Sequence, residues 1–308
     1  MQTRLKSTFS GVVRAGLCAV IALGFTTGIV LAHDAKGNDD HYDDSKQPYE
    51  QPHKAEPPKG GHASLAEAAT NPIANLVQFQ LQNQYNWDNY NSSGYSNEFL
   101  IQPVIPFKLS SKAVPLLITR TTIPYVSTPD LGDPVNRETG VGDTTVLLLG
   151  VPSFNLNKQT IGLGLSNVLP TAGSNEFTGG GKYLTGPAGL YINQMFKGLQ
   201  FGVLGWHHFT VAQSSSGTDK KDVTETAIQP FITKHFSKGW YVGTQDVPWN
   251  YNWRTKRLTM PMGPKVGRVF AMGKQKVNLF GAVYYNPNDD GPNAKWTAKI
   301  NFTLLFPK

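Results

Sequence analysis

Residues 296–306 read WTAKINFTLLF, and their alternation decides the fold. Trp296, Ala298, Ile300, Phe302, Leu304 and Phe306 fall on one side of an extended chain; Thr297, Lys299, Asn301, Thr303 and Leu305 fall on the other. Strand side chains repeat every two residues, so one face is apolar and the other mostly polar. A sandwich strand shows this over about five or six residues, whereas a tilted strand crossing a bilayer needs about 9–11. A long alternating strand ending in Phe306 is therefore expected to belong to an outer-membrane barrel, apolar side to lipid and polar side to the lumen. Such a strand is also the expected handle for barrel-assembly machinery.

Eleven further strands are read upstream. The first is very regular: Val77, Phe79, Leu81 and Tyr85 alternate with Gln78, Gln80, Gln82, Gln84 and Asn86. The others are placed near 97–107, 114–126, 141–151, 159–170, 186–196, 199–211, 223–236, 240–250, 258–271 and 276–286. Links near 108–113, 152–158, 197–198, 237–239 and 272–275 are short. Links near 87–96, 127–140, 171–185, 212–222, 251–257 and 287–294 are generally longer and polar. Short and long alternate, as they do when one barrel end carries periplasmic turns and the other extracellular loops. An antiparallel transmembrane barrel of about twelve strands over 64–308 is the fold expected. Val146-Leu147-Leu148-Leu149 and Pro115-Leu116-Leu117-Ile118 are apolar on both faces, which suits either a partly filled lumen or a soluble core. Prolines at 103, 106, 124, 152, 230, 248, 261 and 264 predict bulges or strand ends, since each removes a ladder donor.

Residues 1–32 read as a secretory signal, with Arg4, Lys6 and Arg14 ahead of the uncharged stretch Ala15–Leu31. An uncleaved anchor is the rival reading, at the short edge of a spanning length. Cys18, the one cysteine, lies inside it, so the mature chain has no disulfide chemistry. Residues 33–63 hold seven acids and four bases and little apolar surface, which predicts a disordered linker. Its His33, His41, His53 and His62 could hold a metal only weakly without fixed geometry. Ser64-Leu65-Ala66-Glu67 fits a capping box with Ser64 as N-cap, opening a short helix that ends near Asn71, before Pro72. Such a helix could sit at the barrel mouth or partly plug it. Mean hydropathy is −0.30, a value that conceals barrels because their faces alternate. Of the net charge of +7, the positive excess over 64–308 points to lipid head groups or anionic solutes rather than nucleic acid in an exported protein.

Several segments resemble the bacterial outer-membrane barrels grouped as transporters of the "MetA-pathway of phenol degradation" type, some of which carry the misplaced label "neuromedin U". They are LAEAATNPIANL at 65–76, LIQPVIPF at 100–107, LITRTTIPYVS at 117–127, TGVGDTTVLLL at 139–149, AIQPFITKHFSKGWYV at 227–242 and FTLLFPK at 302–308. The resemblance implies export to the cell outer membrane and transport of a small solute. It brings no agreed substrate and no functional residues.

No catalytic, cofactor or metal constellation stands out. His207 and His208 are adjacent in a strand and point to opposite faces, so they cannot share a metal without a bulge. Gly179-Gly180-Gly181-Lys182 lacks the spacing and strand-to-helix context of a phosphate loop and reads as an extracellular loop. No His-x-Ser pair lies within a strand, which argues against a lipid hydrolase. The residues expected to line the lumen are Gln78, Gln80, Gln82, Gln84, Lys299 and Asn301, with Lys265 and Lys234 as weaker candidates. The aromatics Tyr85, Trp87, Tyr90, Trp206, Trp240, Tyr241, Trp249, Trp253, Tyr284, Tyr285, Trp296 and Phe306 fall mostly near strand ends, where rings form girdles at head-group level. A channel or transporter for a small aromatic, hydrophobic or anionic solute is the expected function. The alternatives are a non-transporting interaction barrel and, less favoured, a lipid hydrolase.

Overall fold

The computed structural model describes residues 62–130, 137–154, 156–172, 177–214 and 221–307. The expected signal at 1–32 and the linker up to residue 61 lie outside the described residues. A helix, α1 (His62–Thr70), precedes fifteen strands: β1 (Val77–Asn89), β2 (Ser96–Lys108), β3 (Leu116–Ser127), β4 (Thr139–Val141), β5 (Thr144–Val151), β6 (Gln159–Leu169), β7 (Lys182–Asn193), β8 (Leu199–Gln213), β9 (Thr224–His235), β10 (Trp240–Thr244), β11 (Trp249–Asn252), β12 (Arg257–Thr259), β13 (Pro264–Met272), β14 (Gln275–Tyr285) and β15 (Ala294–Phe306).

These strands build twelve staves, because β4/β5, β10/β11 and β12/β13 are each one stave broken in two. Each stave pairs antiparallel with the next. The last closes on the first, β1 against β15 from Val77↔Phe306 to Asn89↔Ala294. The result is a closed antiparallel barrel. Closure leaves no row of unpaired backbone groups, which hydrocarbon would penalise by several kcal/mol apiece. The expected boundaries hold to within about four residues. The largest difference is β7, which starts at Lys182 rather than 186. Lys182 can enter the wall because its ammonium donates to Gln213 Oε1 at 2.7 Å and lies 3.8 Å from Asp222.

The two faces of the wall invert the usual order of a soluble protein. Phe79, Ile105, Ile123, Leu163, Val203, Ile232, Val266, Leu279 and Ile300 are exposed on the outside. Gln78, Gln82, Gln102, Ser166, Thr233, Asn278, Lys299, Asn301 and Thr303 are buried on the inside. A contiguous apolar exterior over a polar interior is the pattern of a lipid-facing barrel. The ambiguous apolar runs resolve accordingly. Leu147 and Leu149 point inward into a core with Val104, Ile118, Leu190, Ile192, Leu204 and Phe231, so the lumen is partly filled by side chains.

The helix completes that filling. Ala66 and Ala69, with Leu76 beyond them, pack on Tyr241, Val269, Phe280, Tyr284 and Leu305, while Ile73 joins the other core. Nine residues of helix are marginal in water; this one is held by burial inside the short-turn end of the barrel. Thr70 Oγ1 donates to Gln200 Oε1 at 2.8 Å and lies 2.8 Å from His235 Nε2. The helix ends where expected but begins at His62. Ser64 therefore lies within its first turn and is not the N-cap, because the backbone is already helical two residues earlier.

Ile300 is 62% exposed, midway along β15. Ile300→Arg is expected to destabilise the barrel by about 2–4 kcal/mol in vesicles, read from urea unfolding, whereas a soluble surface site would change by about 0.5 kcal/mol or less.

Candidate lumenal site

The interior of the barrel encloses a cavity of about 360 Å³. All six expected lumen residues, Gln78, Gln80, Gln82, Gln84, Lys299 and Asn301, line it, and so does Lys265. Lys234 is a correction: it is exposed on the outer side of β9, the inward positions there being Phe231, Thr233 and His235. The glutamines form a ladder because alternate residues of β1 share a face. Gln80 Nε2 donates to Gln78 Oε1 at 3.0 Å, and Gln82 Nε2 donates to Gln80 Oε1 and Gln102 Oε1, each at 2.8 Å. Gln102 passes the chain on to Thr122 Oγ1 at 2.6 Å.

Above that ladder the cross-strand register brings charge together. Lys265, Ala282, Lys299, Gln84 and Glu98 face one another across five consecutive staves. Gln84 Nε2 donates to Glu98 Oε2 at 3.0 Å. The counter-charge for the lysines comes from a feature with no strand pattern. Between β10 and β11 the chain leaves the wall at Gln245, whose φ is 54°, and folds inward through Asp246, Val247 and Pro248. Lys299 Nζ lies 2.7 Å from Asp246 Oδ2 and also donates to the Asp246 carbonyl at 3.1 Å; Lys265 Nζ lies 3.5 Å from Asp246 Oδ1. Gln245 Nε2 donates to the carbonyls of Val247 at 2.5 Å and Pro261 at 2.7 Å, while Val247 packs on the core around α1. Two wall lysines thus fasten an inward fold across the lumen. A buried charge without its partner is costly, so the fold and the lysines hold each other in place.

The aromatics divide. Tyr85, Trp87, Trp240 and Phe306 are exposed on the outer face. Trp87 stacks on Trp296 with centroids 5.9 Å apart, and Tyr285 lies 4.8 Å from Trp296. Trp206 is a correction: it points inward, lines the cavity and packs on the core. The phase of β8 places Leu204, Trp206 and His208 inside and Val203 and Phe209 outside. Tyr241 and Tyr284 are likewise buried inside rather than interfacial.

His207 and His208 do face opposite ways. His207 Nδ1 lies 2.8 Å from Thr226 Oγ1. His208 Nε2 lies 2.8 Å from Ser166 Oγ, and its Nδ1 lies 3.3 Å from Glu225 Oε1. A serine, a histidine and a carboxylate are thus connected after all, from three different strands, so no in-strand motif could reveal them. The row passes over Gly186, where a Cβ would sit 1.6 Å from the His207 carbonyl. Ser166 is 1% exposed and His208 2%, and neither lines the cavity. The hydroxyl is closed off from solute, and the row works as a strap across β6 to β9. Among the described residues no group of three or more His, Cys, Asp or Glu could hold a metal. His208→Ala is expected to leave both partners unpaired and to cost about 1–3 kcal/mol, measured by urea unfolding.

No protein-family model and no curated protein matches this sequence. Solved structures do. An outer membrane channel from Pseudomonas putida aligns with a TM-score of 0.58 at 12% identity, over 75% of this chain and 94% of that one. An outer membrane phospholipase from Salmonella typhi aligns at a TM-score of 0.38 and 11% identity, over 75% of this chain and 90% of that one, too distant to carry an argument. The first likeness shows the fold: this chain has the architecture of an outer-membrane β-barrel.

Proposed function

We propose that this protein is an outer-membrane channel for a small solute, exported by its N-terminal signal and held in a narrowed state by the inward fold at Asp246. The observation that carries this reading is the polar, charged cavity of about 360 Å³ inside a closed barrel, crossed by a segment that two lysines fasten. Barrels of eight strands fill with side chains, and those of sixteen or more keep a water channel. Twelve staves lie between, so a partly filled lumen with a latched opening suits the width. The architecture shared with the Pseudomonas putida channel supports the same reading, as does the resemblance of the sequence segments to the phenol-degradation-type barrels. The short turns would then lie in the periplasm with α1 seated in that mouth, and β15 would engage the assembly machinery.

Planar-bilayer recording of purified protein tests it. Wild-type protein is expected to conduct. Asp246→Ala is expected to raise single-channel conductance several-fold by freeing the inward fold and uncovering Lys265 and Lys299. Lys299→Glu is expected to shift ion selectivity toward cations. A wild-type barrel that folds, conducts nothing and passes no solute defeats the proposal.

A further inference from the structure

Among the described residues, one cation lining the cavity makes no ion pair with the inward fold. Arg120 lies mid-way along β3 on the inward side and lines the cavity. Its cross-strand neighbours are Val104 of β2 and Leu147 of β5, both buried and apolar. The other two cations of the cavity, Lys265 and Lys299, each take one oxygen of Asp246. Among the described residues no carboxylate lies within salt-bridge distance of the Arg120 guanidinium, and its Nε is buried with no hydrogen-bond partner. A guanidinium carries five donors and no acceptor. Set between apolar neighbours, with Asp246 acting on it only from beyond ion-pair distance and already shared by two lysines, it is an arrangement that an anion would relieve. Its planar fork matches a carboxylate through two parallel hydrogen bonds.

The same cavity supplies a place for the rest of such a ligand. Leu204, Trp206 and Phe231 line it and belong to the packed cluster that contains Val104 and Leu147. A bare inorganic anion would leave the half-buried Trp206 and the exposed edge of Phe231 wet. An anion with a short apolar body would cover them, and the volume lies within the range of small-molecule sites, about 300–1,000 Å³. Deepening the channel reading above and resting on it, we propose that Arg120 is a binding subsite for the carboxylate of a small amphipathic monoanion, whose apolar part lies on Leu204, Trp206 and Phe231.

Titration calorimetry of the folded, detergent-solubilised protein with hexanoate, acetate and hexanamide tests the subsite, alongside bilayer conductance of the same samples. Wild type is expected to bind hexanoate at least tenfold more tightly than acetate or hexanamide. Arg120→Gln is expected to weaken hexanoate binding at least tenfold, and Arg120→Lys less. Heat-modifiable migration checks that each variant folds, and the comparison of ligands on the wild-type chain stands without any variant. Equal affinity of wild type for hexanoate and hexanamide, or equal hexanoate binding by wild type and folded Arg120→Gln, overturns the subsite. A wild-type barrel that conducts but does not bind hexanoate overturns the subsite alone. One that binds hexanoate through Arg120 yet conducts nothing supports the subsite and defeats the channel.

Discussion

The structure depends on the pairing of β1 with β15. In hydrocarbon an unpaired backbone amide or carbonyl finds no water, so a sheet exposed to lipid must close. Val77↔Phe306 through Asn89↔Ala294 is the seam that closes it. Once that seam exists, the period of two in every strand sorts side chains without further instruction: one parity meets the outside and the other the lumen. The exposed Ile300 and the buried Lys299 and Asn301 are adjacent residues with opposite surroundings for this reason alone.

Closure creates a second problem, which is what to do with the inside. Twelve staves are more than the eight that wall side chains fill, and some of the inward side chains are apolar. The solution differs along its axis. At the short-turn end, α1 and the turn after it bury Ala66, Ala69, Ile73 and Leu76 against wall residues. Further along, the glutamine ladder, the Asp246 fold and its two lysines leave a cavity. The row from Ser166 through His208 to Glu225 braces the wall from within. Most polar groups inside are mutually satisfied; the partnerless buried atoms include Gln200 Nε2, His235 Nδ1, Tyr284 Oη and Asn301 Oδ1, and among them Arg120 Nε is the one that belongs to a cation in the cavity wall.

The strand positions and the inward placement of the β1 glutamines and Lys299 were legible because each rests on local alternation. Trp206 was misplaced because the phase of β8 is not evident from Phe201 to Phe209, where apolar and aromatic residues occupy both faces. The N-cap at Ser64 failed because the helix already runs from His62, which a local capping motif does not register. The inward fold could not be seen as such: Pro248 and Pro261 marked interruptions in two adjacent staves, but not the direction the chain would take.

The amino-acid order alone determined the class of fold, the number of staves and which end carries short turns, since these follow from side-chain period and turn chemistry within a few residues of each other. Only the tertiary structure decided which lumenal groups meet. Asp246 reaches Lys265 and Lys299, His208 reaches Ser166, and Arg120 is left between Val104 and Leu147, because cross-strand register, set by closure of the whole sheet, brings together residues far apart along the chain.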